Sequence, residues 1–464
     1  MDRQLQQLIS ELQEQRKPGT KLDSQDGSTV YAGNLGRALT ILHASRAVHR
    51  LHLFTSSNSN EEHLHDWRID LLHLSESYLQ SNLRTKTTVA SNDCCSVLFG
   101  SSVGRHVILA SFKSECRTLF NTKTSLTEDH SLLHTIQNSI DIVLSHGEHI
   151  FSAKITPKNH GLLYGCSGWL WGLLYLRRTV PESRNKVTLE LLEQAALFLV
   201  QCGTTYATGI NGESSKKDYI VRLPLMYEHD GVKLLGAANG VVGILHVLLL
   251  VVEEFRCVAE DAFADTIQKI ISPVLLTIEY LLQCLTDSGN LKQRPEDDCD
   301  DVVAWCHGAV GLGLLFCKCA VILGKIFQPL SVSLSKVERK EAANKTIARD
   351  RYIAEADRCA TLILEKMSTD DNVYPGLCYG LAGAGYLFLT LAQITGRDEY
   401  QNVVTQFVET LSTSDTLSAS TTKKNYSLFE GLGGVVCFMA DAMTMNAGDG
   451  GYFPCFQLPP HQNA

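Results

Sequence analysis

The chain has 464 residues, 44% of them hydrophobic and 8% aromatic, with 41 basic against 50 acidic side chains and a formal net charge of −9. Such a chain can bury a large core, which excludes an intrinsically disordered protein, and its length leaves room for two or three domains. The basic residues form no run long enough to follow a phosphate backbone, so no nucleic-acid partner is expected.

The opening MDRQLQQLISELQEQRKPG lacks the apolar run and small-residue cleavage site of a secretory signal. Leu5, Leu8, Ile9 and Leu12 fall instead at helical spacing, and residues 1–30 read as a helical, polar extension to one domain over 31–464. From Tyr31 onward a short word recurs. Its copies are YAGNLGRALTIL from Tyr31, LFGSSVGRHVILASF from Leu98, LYGCSGWLWGLLYL from Leu163, ANGVVGILHVLLLV around Asn239, CHGAVGLGLLF from Cys306, CYGLAGAGYLFLTL from Cys378 and FEGLGGVVCFMADA from Phe429. Six read G-x-x-G followed by an apolar helix, and the second is one residue longer. Their first glycines, Gly33, Gly100, Gly165, Gly240, Gly308, Gly380 and Gly431, lie about 50–75 residues apart, enough for two helices per unit.

Between the words run amphipathic patterns at 188–201, 266–285, 351–367 and 399–411, and no segment alternates at period two. A helix apolar all round must be enclosed, and an amphipathic one can cover it. Seven such pairs closed in a ring give an all-α fold, an α/α toroid, with the G-x-x-G motifs at the inner helix starts and backbone N–H groups aimed at a common centre. Polar stretches at 204–219, 287–301 and 412–425, and the charges from Lys336 to Lys345, read as loops. The acidic EDDCDD at 296–301 reads as a solvated loop and secondarily as a screen selecting basic peptides, with an exposed redox-sensitive thiol at Cys299 as the alternative.

The most apolar stretch, 240–252, falls short of the roughly 18–20 residues of a spanning helix and contains His246, so it reads as buried and no transmembrane segment is expected. The fifteen cysteines are scattered, as at Cys317, Cys319, Cys359 and Cys437, and are expected to be reduced and buried. That usage fits a cytoplasmic protein and leaves peripheral membrane association open.

The words and their flanks, LLYGCSGWLWGLLYL, RLPLMYEHDGVKLLGAANG, VVAWCHGAVG, GLCYGLAGAGYLFLTL, YSLFEGLGGVVCFMAD and the closing YFPCFQL, resemble the eukaryotic lanthionine synthetase C-like family over nearly the whole chain. The resemblance implies a seven-fold α/α barrel with zinc at its mouth, held by a cysteine in the WCHG word and by a cysteine and a histidine in a later CHG word. Three N/S ligands and an open position would take up a thiol and make it a thiolate near neutral pH. Family relatives add such a thiol, glutathione in eukaryotes, to dehydroalanine or dehydrobutyrine residues in peptides.

In this chain the corresponding positions are Cys306, Cys378 and Tyr379, so the second histidine is replaced, while the first word carries His307. The expected zinc ligands are therefore Cys306, Cys378 and His307, with Tyr379 as the alternative third position. The family histidine used in acid–base work is Asn239, which exchanges no proton near pH 7. The acidic position before the third word is Gly161, the frequent arginine after that word's glycine is Cys166, and an expected lysine is Val373. Glu430 matches, as a proton-transfer group or as a carboxylate on a helix N-terminus.

Three functions stay open. The first is zinc-dependent addition of glutathione or another small thiol to dehydrated residues of a peptide or protein, weakened by the replaced histidines. The second is a non-catalytic scaffold binding glutathione or a peptide. The third, a glycosidase-like use of the toroid, ranks last, because among the words FEG alone offers an acid at the helix start and such chemistry needs a carboxylate pair.

Overall fold

Each glycine word starts a helix. In this computed structural model, which describes residues 5–10, 29–54, 61–84, 96–99, 101–120, 126–152, 159–213, 224–298, 302–325, 336–369, 374–413, 426–445 and 450–461, the words open helices α1 (Asn34–Phe54), α3 (Ser101–Phe120), α5 (Cys166–Thr179), α7 (Val241–Ala259), α9 (Ala309–Lys325), α11 (Leu381–Thr395) and α13 (Leu432–Met443). Between them come α2 (Glu61–Arg84), α4 (Leu126–Ser152), α6 (Leu189–Glu213), α8 (Ala264–Gln283), α10 (Lys336–Thr369) and α12 (Asp398–Leu411). The word helices pack on one another in the order α1, α3, α5, α7, α9, α11, α13, and α13 returns onto α1, closing the ring. Each of the first six also packs on the helix that follows it, so the second set lies outside. The described residues contain no strand, only two isolated bridges. The α/α toroid expected from the words is the observed fold.

Apolar content sorts the two layers. Every residue of α5 is buried, whereas α12 buries Tyr400, Val404, Phe407, Val408 and Leu411 along one stripe. Burying Leu-sized side chains stabilises by about 1.5–3 kcal/mol each, so a helix as apolar as α7 has its free-energy minimum inside the ring. At residues 5–10 a helical turn buries Leu5, Leu8 and Ile9 in the same core; Leu12 lies outside the described residues. No helix of the described residues is long and apolar enough to cross a membrane.

The glycine word is a packing device. At the second glycine of six words, Gly36, Gly168, Gly243, Gly311, Gly383 and Gly434, an added Cβ would overlap the carbonyl oxygen six residues earlier; at Gly104, in the longer word, it would overlap the oxygen seven earlier. The turn therefore folds back onto its own helix with no room for a side chain. Among the first glycines, Gly308 has φ +105, a region that only glycine enters readily; Gly100 lies outside the described residues. Gly383→Ala, whose methyl meets the backbone oxygen of Leu377, is expected to cost about 1–3 kcal/mol. Gly209→Ala on α6, where nothing lies within 4 Å of the new methyl, is expected to be neutral or stabilising. Denaturant midpoints of the two variants check this, and equal losses would show that the carbonyl contact is not what fixes the glycine.

Residues 204–213 and 336–345, read as loops from their polar residues, are helical, and 214–219 lie outside the described residues. Helix α6 runs to Glu213, and within it Thr204, Thr205 and Thr208 turn their hydroxyls onto carbonyls four residues back, at 2.8 Å each, in an arrangement the helix tolerates. Helix α10 already begins at Lys336, where Lys, Glu, Arg and Ala are strong helix formers whatever their charge. Residues 414–425 and 299–301, with Cys299, lie outside the described residues.

The closing segment fills the ring. Phe453 packs on Trp305 at 5.4 Å and Tyr386 at 5.1 Å, and Phe456 on His246 at 3.9 Å and Trp305 at 5.6 Å. Gln457 accepts from the Phe453 N–H and donates to Thr390, while Arg178 donates to the Pro459 carbonyl. The segment thus touches α5, α7, α11 and the word before α9, which places it in the interior, beneath the word end.

Candidate functional site at the glycine-word end

Backbone hydrogen bonds lock the words side by side. Tyr31 N–H donates to Leu98 O, Leu163 to Ala238 O, Ala238 to Cys306 O, Trp305 to Cys378 O, Cys378 to Phe429 O and Phe429 back to Tyr31 O, at 2.8–3.3 Å. Between the second and third words Ser96 Oγ donates to Leu162 O at 2.6 Å. Seven helix starts consequently face one centre from a closed backbone collar.

The collar sorts side chains by word position. Residues two before the first glycine (Tyr31, Leu98, Leu163, Ala238, Cys306, Cys378, Phe429) are all buried, and those one before it (Ala32, Phe99, Tyr164, Asn239, His307, Tyr379, Glu430) are all half-buried or exposed. The second set lines the mouth and the first forms its floor. Words four to seven, tied to one another by the bonds above, carry Asn239, His307, Tyr379 and Glu430 on one polar arc. The remaining arc is apolar: Tyr164 stacks on Phe99 at 4.6 Å, Phe99 on Tyr31 at 5.0 Å and Tyr31 on Phe429 at 4.8 Å.

At the centre of the polar arc two thiols meet. Cys306 and Cys378 are hydrogen-bonded to each other, and His307 Nδ1 lies 3.1 Å from the Cys306 sulfur. The bond from Cys378 draws Cys306 below the usual thiol range, with help from His307 and Tyr379 and against the effect of burial. The same bond, then burial, pushes Cys378 up, so the two thiols titrate as a pair. The Tyr379 phenol, 51% exposed, is hydrogen-bonded to both sulfurs; burial, then the charge on Cys306, keeps it protonated. Glu430 presents its charge to Cys378 and Tyr31, and its backbone N–H is held by Ser427 Oγ at 2.9 Å. Asn239 Oδ1 is buried without a hydrogen-bond partner.

Tyr31 was not singled out by sequence reasoning, yet its phenol bonds Cys378 from the first word. The signal was there: Tyr31 stands two before its glycine, the position of both cysteines. Gly161 packs its backbone against Asn239, and Cys166 is the buried first residue of α5, its sulfur 3.8 Å from Asn159 O. Val373 lies outside the described residues. Among the described residues the other cysteines likewise form no disulfide, and most of them are buried.

Two facing thiols, with an imidazole and a phenol on the same sulfur, are a soft donor set of the kind zinc takes. Among the described residues no group of three or more His, Cys, Asp and Glu side chains is arranged around one point, so a third ligand would come from His307 turning off Cys306 or from Tyr379.

Comparison with known proteins agrees with this architecture. A sequence family described as lanthionine synthetase C-like protein matches residues 115–456. LanC-like protein GCL1 of Arabidopsis thaliana is 27% identical over 291 residues, 62% of this chain and 55% of that protein. Glutathione S-transferase LANCL1 of Danio rerio is 24% identical over 297 residues, 64% of this chain and 62% of that protein. The matches thus span less than two thirds of either relative. The solved structure of nisin cyclase superposes over 97% of this chain and 99% of its own with a TM-score of 0.53 at 14% identity, which speaks to the fold.

Proposed function

The chain belongs to the lanthionine synthetase C-like family, and on that premise we propose that it adds glutathione or another small thiol to dehydroalanine or dehydrobutyrine residues of a peptide or protein. The observation that carries this reading is the Cys306–Cys378 pair at the mouth of the ring, with Tyr379, His307 and Glu430 around it. The name of the Danio rerio relative supports glutathione as the thiol.

A zinc ion held by Cys306 and Cys378 and completed by His307 or Tyr379 would turn an incoming thiol into a thiolate near neutral pH. The chain's own groups do the rest. Adding a thiolate to the alkene of a dehydro-residue leaves a carbanion that needs a proton, and Glu430 and the Tyr379 phenol are the proton carriers on the polar arc. Phe99 and Tyr164 on the opposite arc give apolar side chains of the peptide a surface that excludes water. Asn239 can orient a substrate carbonyl through its amide N–H but cannot move a proton. That replacement favours a second reading, a binding scaffold for glutathione or a peptide.

A conjugation assay with glutathione and a dehydroalanine peptide, read by mass spectrometry, separates the two. Thiol addition that disappears in Cys306→Ala supports the first reading, and binding of either ligand without addition supports the second. Zinc stoichiometry tests the ligand set: Cys378→Ala is expected to lose the metal and His307→Ala to weaken it. A wild type without zinc that gains it in Tyr379→His would identify the site as a relic.

A further inference from the structure

We propose that Cys306 and Cys378 form a redox-active dithiol that exchanges with small-molecule disulfides, so that the mouth of the toroid is also a thiol–disulfide exchange site. This rests on the geometry of the pair and not on the addition chemistry. The two sulfurs are already in hydrogen-bond contact, and their backbones are clamped together by the bond from Trp305 N–H to Cys378 O at 3.0 Å. Backbones fixed side by side in this way favour closing the bond by side-chain rotation, where distant cysteines require backbone movement.

The pair is also asymmetric in the way exchange needs. Cys306 is 9% exposed and stands beside half-buried His307, whose Nδ1 lies 3.1 Å from its sulfur; Cys378 is 2% exposed and lies behind. Cys306 is therefore the sulfur a slender disulfide reaches, and Cys378 the one that resolves the product. A protein disulfide could not approach a sulfur this recessed, which points to low-molecular-weight disulfides of the oxidised glutathione type.

The exchange balances in two steps. The Cys306 sulfur attacks one sulfur of RS–SR; the S–S bond breaks, a mixed disulfide forms on Cys306, and the departing RS⁻ takes up the proton that Cys306 gave up. Cys378 then gives up its proton and attacks the Cys306 sulfur, releasing a second RS⁻ that receives that proton. Two protein thiols have become one disulfide, and their two electrons and two protons leave in two molecules of RSH. Closure removes both sulfurs from any role in thiol addition, so the redox state of the pair would gate the first activity.

The test uses purified full-length protein, treated with a chelator so that no metal covers the sulfurs, and then oxidised glutathione. Free thiols are blocked and peptides are mapped by mass spectrometry. The expected result is a disulfide joining the Cys306 and Cys378 peptides, with two molecules of glutathione released per link. In Cys378→Ser the reaction is expected to stop at a glutathionylated Cys306 with one molecule released. Exposed Cys257 serves as the internal reference. If Cys257 becomes glutathionylated in the wild type while no Cys306–Cys378 link forms, the proposal is overturned, whatever the conjugation assay gives.

Discussion

Asp441→Ala is expected to lower the unfolding free energy by about 3–5 kcal/mol, the cost of breaking a buried charge network by removing one partner. The carboxylate is fully buried near the end of α13. Its Oδ2 meets His43 Nε2 at 2.7 Å, the Tyr386 hydroxyl at 2.8 Å and the Tyr452 N–H at 3.1 Å, and its Oδ1 meets Arg50 at 2.5 Å. One side chain thereby ties α1, α11, α13 and the closing segment, and its loss leaves Arg50 facing an empty position. Burial raises the pKa of this carboxyl, but His43 and Arg50 outweigh it and hold the group below the ordinary carboxylate range. A depressed folded-state pKa contributes stability that is present above the unfolded value, about 3.9, and lost as pH falls through the folded value. The gap between wild type and Asp441→Asn in denaturant titrations should therefore stay constant near neutrality and shrink only below about pH 4. A gap that closes between pH 6 and 8 would assign the effect to another group.

Asn239→His is expected to raise the rate of thiol addition by about 10²-fold or more, since a positioned general acid–base group is typically worth 10²–10⁴-fold. The position is well placed for it. Asn239 lies on the mouth one word from Cys306, with Ala238 N–H bonded to Cys306 O at 3.2 Å, and its Oδ1 has no partner to lose. The gain should also add a limb to the wild-type pH–rate profile near the ordinary imidazole pKa of about 6.5. If conjugation in Asn239→His stays at the wild-type level and no such limb appears, the missing histidine is not what limits the chemistry, and the scaffold reading gains.

Most of the candidate site was legible because the word is a register mark. Once the copies are superimposed, Cys306 and Cys378 share one position and Asn239, His307, Tyr379 and Glu430 share the next, so equivalence follows from sequence alone. The partner of the His307 imidazole was not legible. Whether its Nδ1 turns to the neighbouring sulfur or toward Cys378 depends on a side-chain torsion that spacing does not constrain, and it lies on Cys306. Tyr31 was missed for a related reason: it sits nearly 350 residues before Cys378 and meets it only because α13 packs back onto α1.

What the sequence by itself determined is the repeat. Seven glycine words, each starting a largely apolar helix and separated by amphipathic ones, point to concentric layers that bury the first set and wet the second. The ends of the outer helices were less well determined, because threonine hydroxyls and charged residues suit helix and loop alike until their hydrogen bonds are known. Only the tertiary structure decided which way each word faces. Ring closure turns one residue of the word inward to the floor and the next to the mouth, and so makes a thiol pair of two cysteines 72 positions apart. It alone also decided that the closing segment lies inside the barrel, where Phe453 packs on Trp305 and Phe456 on His246 at the close-packed density of a protein interior.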